Sequence, residues 1–228
     1  FYDQPSLFLE ILPVTGGPVA GGTIITLGGY GFRNFDDYDT ALGKARCNWG
    51  DGDTIVPIEI VTEYIVCATT PKAQPGPQNL LVSLNGQDYV DTGKSFLFYS
   101  LTIDSVTPQG SPLKGAKNVI IRGQGFLGFP SILGAPPEAR TRVQLGDGPE
   151  LEVKFGMTDD ELVIDVPNSQ AGSMLLKVSL NGGYDWDTGM QQLPLTFDYY
   201  EARPTALQPT GGHVRGGTPV TVAGDGFL

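Results

Sequence analysis

The strongest constraint on the fold is a phrase that occurs three times along the chain. It reads ILPVTGGPVAGGTIITLGGYGF from Ile11, VTPQGSPLKGAKNVIIRGQGF from Val106 and LQPTGGHVRGGTPVTVAGDGF from Leu207. Each copy has a proline, two glycine turns, an alternating strand and a closing Gly-x-Gly-Phe. The closing glycines Gly31, Gly125 and Gly226 are 94 and 101 residues apart. This step is the size of one small β-sandwich and predicts tandem domains.

A second repeated phrase confirms the period. LLVSLNGQDYVDTGKSFLFY from Leu80 resembles LLKVSLNGGYDWDTGMQQLPLTFDYY from Leu175. The shared Asn-Gly predicts a tight hairpin in which both central residues have positive φ. The repeat divides the chain into residues 1–9 as the end of a preceding repeat or linker, 10–100 as a first domain, 101–201 as a second, and 202–228 as the beginning of a third.

The predicted elements are short alternating strands, such as TIITL, YIVCA, LVIDV and LKVSL, and no stretch of ten residues carries a helical stripe. About seven strands per 100 residues are typical of an immunoglobulin-like sandwich. The fold class is therefore all-β, with tandem immunoglobulin-like domains. We expect aromatic cores in the two full copies, formed by Trp49, Phe96 and Phe98 and by Trp186, Phe197 and Tyr199.

The ordered phrase resembles the IPT/TIG family, the immunoglobulin-like domains of plexins, transcription factors and many cell-surface proteins. Its signature here is a proline, Gly-Gly turns, an alternating strand, Gly-x-Gly-Phe, VSLNG and a closing aromatic strand. The resemblance covers essentially the whole chain and implies an early-set β-sandwich for each copy. It implies no single function, because the family serves in receptors, adhesins, enzyme accessory modules and DNA-binding factors.

Composition excludes several classes of function. The formal net charge is -11 and the chain has only 14 Lys and Arg residues, scattered along it. We therefore expect no nucleic acid as partner, because phosphates require clustered cations. No apolar run approaches 18 residues, so neither a membrane span nor a signal peptide is expected within this segment.

Several motifs suggest an enzyme on first inspection. Gly123, Gly125 and Gly128 match a dinucleotide-binding fingerprint, but three prolines follow within nine residues where a helix is required. Gly128 also has no counterpart in the first copy. The shared Gly-Phe is better explained as a strand that ends at a bend, with the Phe turned into the core.

Three other catalytic motifs are equally weak. The triplets that start at Asp91 and Asp187 resemble an aspartic-protease pair, but their separation is the repeat step, and a turn in which Asp bonds its own backbone explains them. The TGKS of residues 92–95 lacks the earlier glycine of a phosphate-binding loop. The one histidine, His213, lies in a glycine turn. The sequence predicts that the chain is not an enzyme.

Acidic loops give weak calcium candidates. Asp36, Asp37 and Asp39 lie in NFDDYDT, and Asp51 and Asp53 lie in GDGD. Loop carboxylates at a domain junction are suitable ligands for calcium, although none has EF-hand spacing. No other cofactor or metal is expected, since no H-E-x-x-H, paired C-x-x-C or His cluster occurs.

Cys47 and Cys67 allow three interpretations: a disulfide, two buried thiols, or a reactive or metal site. In the second copy both positions become aliphatic, Val143 and either Val163 or Ile164, as expected for a pair adjacent in space. Extracellular domains of the family that this chain resembles often carry a bridge across these strands. We therefore expect a disulfide, worth about 3 kcal/mol by loop closure, and an oxidising compartment.

These observations predict a non-catalytic, rod-like spacer or adhesive array within a large cell-surface or secreted protein. Its partners would be neighbouring repeats or other copies of the chain, with filament assembly through strand edges. One alternative is an intracellular scaffold, in a cilium or the cytoplasm. Another is an accessory carbohydrate-binding module of a larger enzyme, with a glycan on Trp186 or Tyr184. The absence of an N-x-S/T sequon argues against N-glycans.

Overall fold

The chain folds into repeated two-sheet β-sandwiches. The structure, a computed structural model, describes residues 15–32, 44–50, 52–72, 74–129, 140–154, 158–187 and 194–227, together with the backbone of 6–12. Within these ranges the complete regular elements are nineteen β-strands. The all-β, immunoglobulin-like prediction is confirmed.

Nine strands of the first sandwich lie within the described residues. They are β1 (Ser6–Leu12), β2 (Gly16–Pro18), β3 (Ile24–Tyr30), β4 (Arg46–Asn48), β5 (Thr54–Ile55), β6 (Glu59–Ile60), β7 (Tyr64–Ala68), β8 (Gly76–Ser83) and β9 (Val90–Tyr99). One sheet has the order β1-β3-β7-β6, and the other has the order β2-β9-β8-β4-β5.

The second sandwich repeats this arrangement. Its strands are β10 (Thr102–Thr107), β11 (Gly110–Pro112), β12 (Ala116–Gln124), β13 (Arg142–Leu145), β14 (Glu150–Glu152), β15 (Glu161–Val166), β16 (Gly172–Ser179) and β17 (Thr196–Tyr200). The sheet orders are β10-β12-β15 and β11-β17-β16-β13-β14. Each strand thus has a counterpart in the first sandwich, as the sequence repeat predicts.

The third copy contributes an antiparallel hairpin of β18 (Arg203–Gln208) and β19 (Thr221–Asp225). Leu207 faces Val222 across this pair, and all residues of both strands are exposed. The hairpin corresponds to the β10–β12 pair of the second sandwich.

Each full sandwich joins its beginning to its end by a short parallel ladder. β2 pairs with β9 in parallel, with Gly17 opposite Phe98, and β11 pairs with β17 in the same way. The first ladder is extended by hydrogen bonds from the Leu97 N–H to the Thr15 carbonyl and from the Val19 N–H to the Tyr99 carbonyl, 2.9 and 2.8 Å long. The other strand pairs of both sandwiches are antiparallel.

The cores follow the period-two pattern of the strands. In β15, Leu162, Ile164 and Val166 are buried while the residues between them are partly exposed. In the first sandwich Trp49, Phe96 and Phe98 form a cluster with ring centroids 5.0 to 6.1 Å apart. Phe197 and Tyr199 are buried in the second. These aromatic core predictions are confirmed.

The Gly-x-Gly-Phe phrase forms the predicted bend. Gly31 and Gly125 have φ of 82° and 83°, and Phe32 and Phe126 are fully buried. A Cβ at Gly125 would lie 2.1 Å from the Ser100 carbonyl oxygen, so the strand also needs a glycine for space. Residues 126–129 form a turn, in which the Gly128 N–H donates to the Gly125 carbonyl. The fingerprint of residues 123–128 therefore does not lead into a helix start.

The Asn-Gly sequences do not form the two-residue hairpins that we predicted. Six residues connect β8 to β9, and 16 residues separate β16 from β17 in the sequence. Gly86 and Gly182 have positive φ, but Asn85 and Asn181 do not. The prediction was wrong because each asparagine side chain folds back and organises a longer loop through its own hydrogen bonds.

Candidate functional site at the domain junction

The two sandwiches meet at a junction built from one edge of each. The first sandwich contributes Gly16 of β2, Thr23 before β3 and Tyr99 at the end of β9. The second contributes Phe129, in the turn after β12, and the loop between β16 and β17. We call this loop of residues 180–187 the docking loop.

The apolar half of the junction is the contact between the ring of Phe129 and the backbone of Gly16. The ring of Phe129 lies so close to Gly16 that a Cβ there would be 2.2 Å from its Cε2 atom. On its other side the ring packs at 5.8 Å from that of Tyr99. Both aromatic residues are buried and belong to the core cluster of the second sandwich. The last strand of one domain therefore supplies part of the core of the next.

The polar half is organised by Asn181, which is fully buried. Its amide oxygen accepts hydrogen bonds from Ser179 Oγ and from the Asp185 N–H, both 3.0 Å long. Its amide nitrogen donates to Asp185 Oδ2 at 2.7 Å and, across the junction, to the Gly16 carbonyl at 3.0 Å. All four hydrogen bonds are satisfied, as a buried amide requires.

Asp185 makes the second polar contact between the sandwiches. Its Oδ2 atom accepts a hydrogen bond of 2.8 Å from Thr23 Oγ1. Thr23 is itself held by its own domain, because its N–H donates to Thr69 Oγ1 at 3.1 Å. A hydrogen bond to a charged oxygen contributes about 1.5–3 kcal/mol in a buried setting. The docking loop is thus fixed to a rigid part of the first sandwich.

The first sandwich carries the same loop, and among the described residues this loop makes no hydrogen bond to the second sandwich. Ser83 Oγ donates to Asn85 Oδ1, the Gly86 N–H donates to Ser83 Oγ, and Asn85 Nδ2 donates to Asp88 Oδ2, over 3.1, 2.9 and 2.7 Å. Asp88 is exposed. The Ser-Asn-Asp network is therefore a property of the local sequence, and the loop has its shape before it docks.

A cavity of about 240 Å³ opens beside the docking loop. Pro18, Ala20 and Tyr99 line it from the first sandwich, and Asp185, Trp186 and Asp187 line it from the second. Burial, followed by the negative charges of Asp185 and Asp187, raises the pKa of the Tyr99 phenol far above its ordinary value. Two carboxylates and two aromatic side chains are thus among the residues that line the cavity.

The predicted position of Trp186 was wrong. We expected it in the core of the second sandwich, whereas it is half-buried in the docking loop and lines the junction cavity. The core position of Trp49 is filled by Leu145 in the second sandwich, so the two tryptophans are not equivalent. Tyr184, the other candidate for a glycan, is exposed.

The two cysteines form a bridge between the sheets of the first sandwich. Cys47 lies on β4 of one sheet and Cys67 on β7 of the other, with their Cα atoms 6.5 Å apart and the sulfurs joined. Val143 and Ile164 occupy the equivalent register positions of the second sandwich and are fully buried. Of the two residues that the repeat left open opposite Cys67, the register selects Ile164.

The structure describes only one of the five calcium candidates. Asp36, Asp37, Asp39 and Asp51 lie outside the described residues, and Asp53 is exposed. Within the described ranges no group of three or more His, Cys, Asp or Glu side chains could hold a metal ion.

The remaining motifs adopt ordinary local structures. The Gly93 N–H donates to Asp91 Oδ1 at 2.8 Å as predicted, but this triplet lies within strand β9, so the prediction of a turn between the last two strands was wrong. Residues 92–95 lie within strand β9. His213 is exposed, and its Nδ1 accepts a hydrogen bond from the Arg215 N–H. Among the described residues no helix is long and apolar enough to cross a bilayer.

Comparison with known proteins gives two family matches along the chain. The sequence model of the IPT/TIG domain matches residues 7–98 and 101–199. Mouse plexin-A3 is 26% identical over 228 residues, which cover 96% of this chain and 11% of plexin-A3. Human fibrocystin-L is 25% identical over 216 residues, which cover 92% of this chain and 4% of fibrocystin-L. The chain thus spans a small part of these relatives.

A plexin is also among the solved structures to which this chain is similar. The extracellular region of plexin A4, domains 1 to 10, is 20% identical to this chain with a TM-score of 0.48. The alignment covers 97% of this chain and 18% of that one.

Proposed function

Because the chain belongs to the IPT/TIG domain family, we propose that it is a non-catalytic spacer and interaction segment of a larger extracellular or cell-surface protein. Successive sandwiches are held at a fixed angle, and together they form a rod that presents strand edges and loops to neighbouring repeats or other copies of the chain. Support comes from plexin and fibrocystin-L relatives, which it matches over more than nine-tenths of its length.

The observation that carries this proposal is the direct contact between the sandwiches. Phe129 fills the space above Gly16, while the docking loop bonds to Gly16 and Thr23. A flexible linker would leave these groups to water. The buried apolar contact and the satisfied hydrogen bonds favour a stiff joint over a hinge, because opening the joint would expose Phe129 to water and break two hydrogen bonds.

The Cys47–Cys67 bridge supports the extracellular location. Structural disulfides persist in oxidising compartments and are rare in reducing ones. Non-reducing mass spectrometry of the native protein tests this part of the proposal. A mass that lacks two hydrogens supports the bridge, whereas two free thiols would favour the intracellular scaffold.

Residual dipolar couplings test the stiff joint directly. We expect the backbone amides of both sandwiches to report one common alignment tensor. The double variant Phe129→Ala/Asp185→Ala should give two different tensors, because it removes the apolar and the polar contact together. Asn85→Ala is the matched control, since it disrupts the same loop network in the first sandwich, where the hydrogen bonds of Asn85 to described residues all stay within its own loop, and it should keep one tensor. Different tensors in the unmodified protein would overturn the proposal.

A further inference from the structure

The junction cavity is lined by a buried tyrosine whose hydroxyl group has no partner among the described residues. Tyr99 is only 3% exposed. Within the part of the chain that the structure describes, its phenol oxygen makes no hydrogen bond. The comparable Tyr199, 4% exposed, donates its hydroxyl to the Pro167 carbonyl at 3.0 Å. The Tyr99 side chain is thus packed in the junction while its hydroxyl group remains accessible from the cavity that it lines, where it is available to a ligand.

The carboxylate of Asp185 gives the cavity a negative charge. Its hydrogen-bond donors, Thr23 and Asn181, are neutral. No ion pair to Asp185 occurs among the described residues. Asp187 lines the same cavity, and both carboxylates raise the pKa of the Tyr99 phenol in addition to the effect of burial. A partly buried negative charge of this kind is stabilised by a cation.

We propose that the cavity, hereafter the junction pocket, binds a lysine or arginine side chain of a partner protein. The ammonium or guanidinium group donates to Asp185 and to the phenol oxygen of Tyr99, while the indole of Trp186 lies beside the cation. Aromatic rings attract cations, and carboxylates accept charge-assisted hydrogen bonds. The aliphatic stem of the same side chain contacts Pro18 and Ala20.

The chemistry favours a basic side chain over a sugar. A neutral sugar ring would also stack on Trp186, but it would bring no positive charge to Asp185. The volume of about 240 Å³ suits one long side chain. This inference rests on the proposed function, because the two sandwiches each supply one wall and the junction must stay closed for the pocket to exist.

Fluorine NMR provides a test with an internal reference. The chain has two tryptophans, so protein labelled with 5-fluorotryptophan gives two signals, one from Trp186 in the pocket and one from Trp49 in the first core. The probes are Nα-acetyl-arginine methylamide, the lysine equivalent and a short peptide with a single arginine. We expect each probe to shift the Trp186 signal saturably and to leave the Trp49 signal in place. The neutral Nα,Nε-diacetyl-lysine methylamide should cause no shift.

Two variants test the residues assigned to the pocket. Asp185→Asn and Tyr99→Phe should each weaken binding of the arginine peptide about tenfold, because the first removes the negative charge that pairs with the ligand and the second removes a hydrogen-bond acceptor. Asp88→Asn and Tyr200→Phe are the matched controls, since they occupy the corresponding loop and strand end of the other copy, and binding should be unchanged. Alignment tensors of each variant show whether the junction is still closed.

The proposal fails on any of three results. The first is a Trp186 signal that none of the basic probes moves while a common alignment tensor shows a closed junction. The second is equal binding by wild type and Asp185→Asn. The third is a saturable shift with cellopentaose and none with arginine, which would favour a glycan site. Separate tensors in the unmodified protein would instead refute the stiff joint on which the pocket depends.

Discussion

Replacing Gly16 by alanine should disturb the joint between the sandwiches more than the fold of either one. The added methyl group would lie 2.2 Å from Cε2 of Phe129 and 2.7 Å from the Leu97 carbonyl oxygen. Carbon atoms pack at about 3.5–4.0 Å, so the ring would have to move by roughly 1 Å or more. Phe129 is buried against Tyr99 and has little free space in which to move.

The equivalent change in the second sandwich separates the two effects. A Cβ at Gly110 would meet the Asp198 carbonyl oxygen at 2.5 Å but no aromatic ring from another domain. Both variants therefore share the clash with the neighbouring strand, and only Gly16→Ala adds the clash with Phe129. Overpacking of this kind costs about 1–3 kcal/mol. The junction can limit that cost by opening, which would then remove the coupling between the domains.

Chemical denaturation and dipolar couplings measure the outcome. The unfolding of the first sandwich can be followed by the fluorine signal of Trp49, and that of the second by the methyl signals of Leu162 and Ile164. We expect Gly16→Ala to lose about 1–3 kcal/mol more than Gly110→Ala, or to give two alignment tensors in place of one. Adding Phe129→Ala to Gly16→Ala should cost less than the sum of the single changes. Equal losses in both glycine variants, with one tensor in each, would refute the reasoning.

Three further changes have defined outcomes. Cys47→Ala/Cys67→Ala should destabilise the first sandwich by about 3 kcal/mol, because a bridge across 20 residues is lost. Denaturant titration measures this loss, and the stability of the second sandwich should not change. An unchanged denaturation midpoint of the first sandwich would contradict the prediction. Phe126→Ala should cost about 3–5 kcal/mol as a buried aromatic, while Phe227→Ala, 54% exposed, should stay within about 0.5 kcal/mol on the same denaturation curves. Hydrogen bonds from Lys154, the Asn118 N–H and Lys117 hold the pKa of the Asp165 carboxyl well below its usual range, so its stabilisation is present above about pH 4 and lost as the pH falls further. Asp165→Asn should therefore lower the urea midpoint at neutral pH and match wild type in strong acid, and an equal deficit at both pH values would argue against this pairing.

The repeat made the fold of each sandwich predictable. In both full copies a glycine with positive φ ends the strand and the following Phe is buried in the core. Residues that recur in both copies are therefore structural, whereas a motif that occurs in only one copy, such as the dinucleotide fingerprint, is accidental. The paired replacement of Cys47 and Cys67 by Val143 and Ile164 is of the same kind, because two residues that touch across the sheets vary together.

The junction was not predictable in this way. Gly16 is one of 32 glycines, and its sequence neighbours predict only a turn. Phe129 is predicted to be a core residue of the other domain, and no sequence pattern indicates that the two residues are in contact. Asn181 was recognised as part of a turn signal, but its buried amide serves the joint as well as its own loop. Trp186 was assigned to the core by its type, although its neighbours in the docking loop place it in the cavity. Contacts between domains depend on their relative orientation, which no strand pattern encodes.

The parallel ladders at the ends of each sandwich bear on how the chain responds to tension. When a force pulls β2 toward the N-terminus and β9 toward the C-terminus, the two parallel strands are drawn in opposite directions along their common axis. All the hydrogen bonds between them then carry the load together and must break nearly at once, whereas a hairpin pulled from its open end separates one bond at a time. The same holds for β11 and β17. A chain of such domains would therefore behave as a series of mechanical clamps, each of which yields as a unit under force.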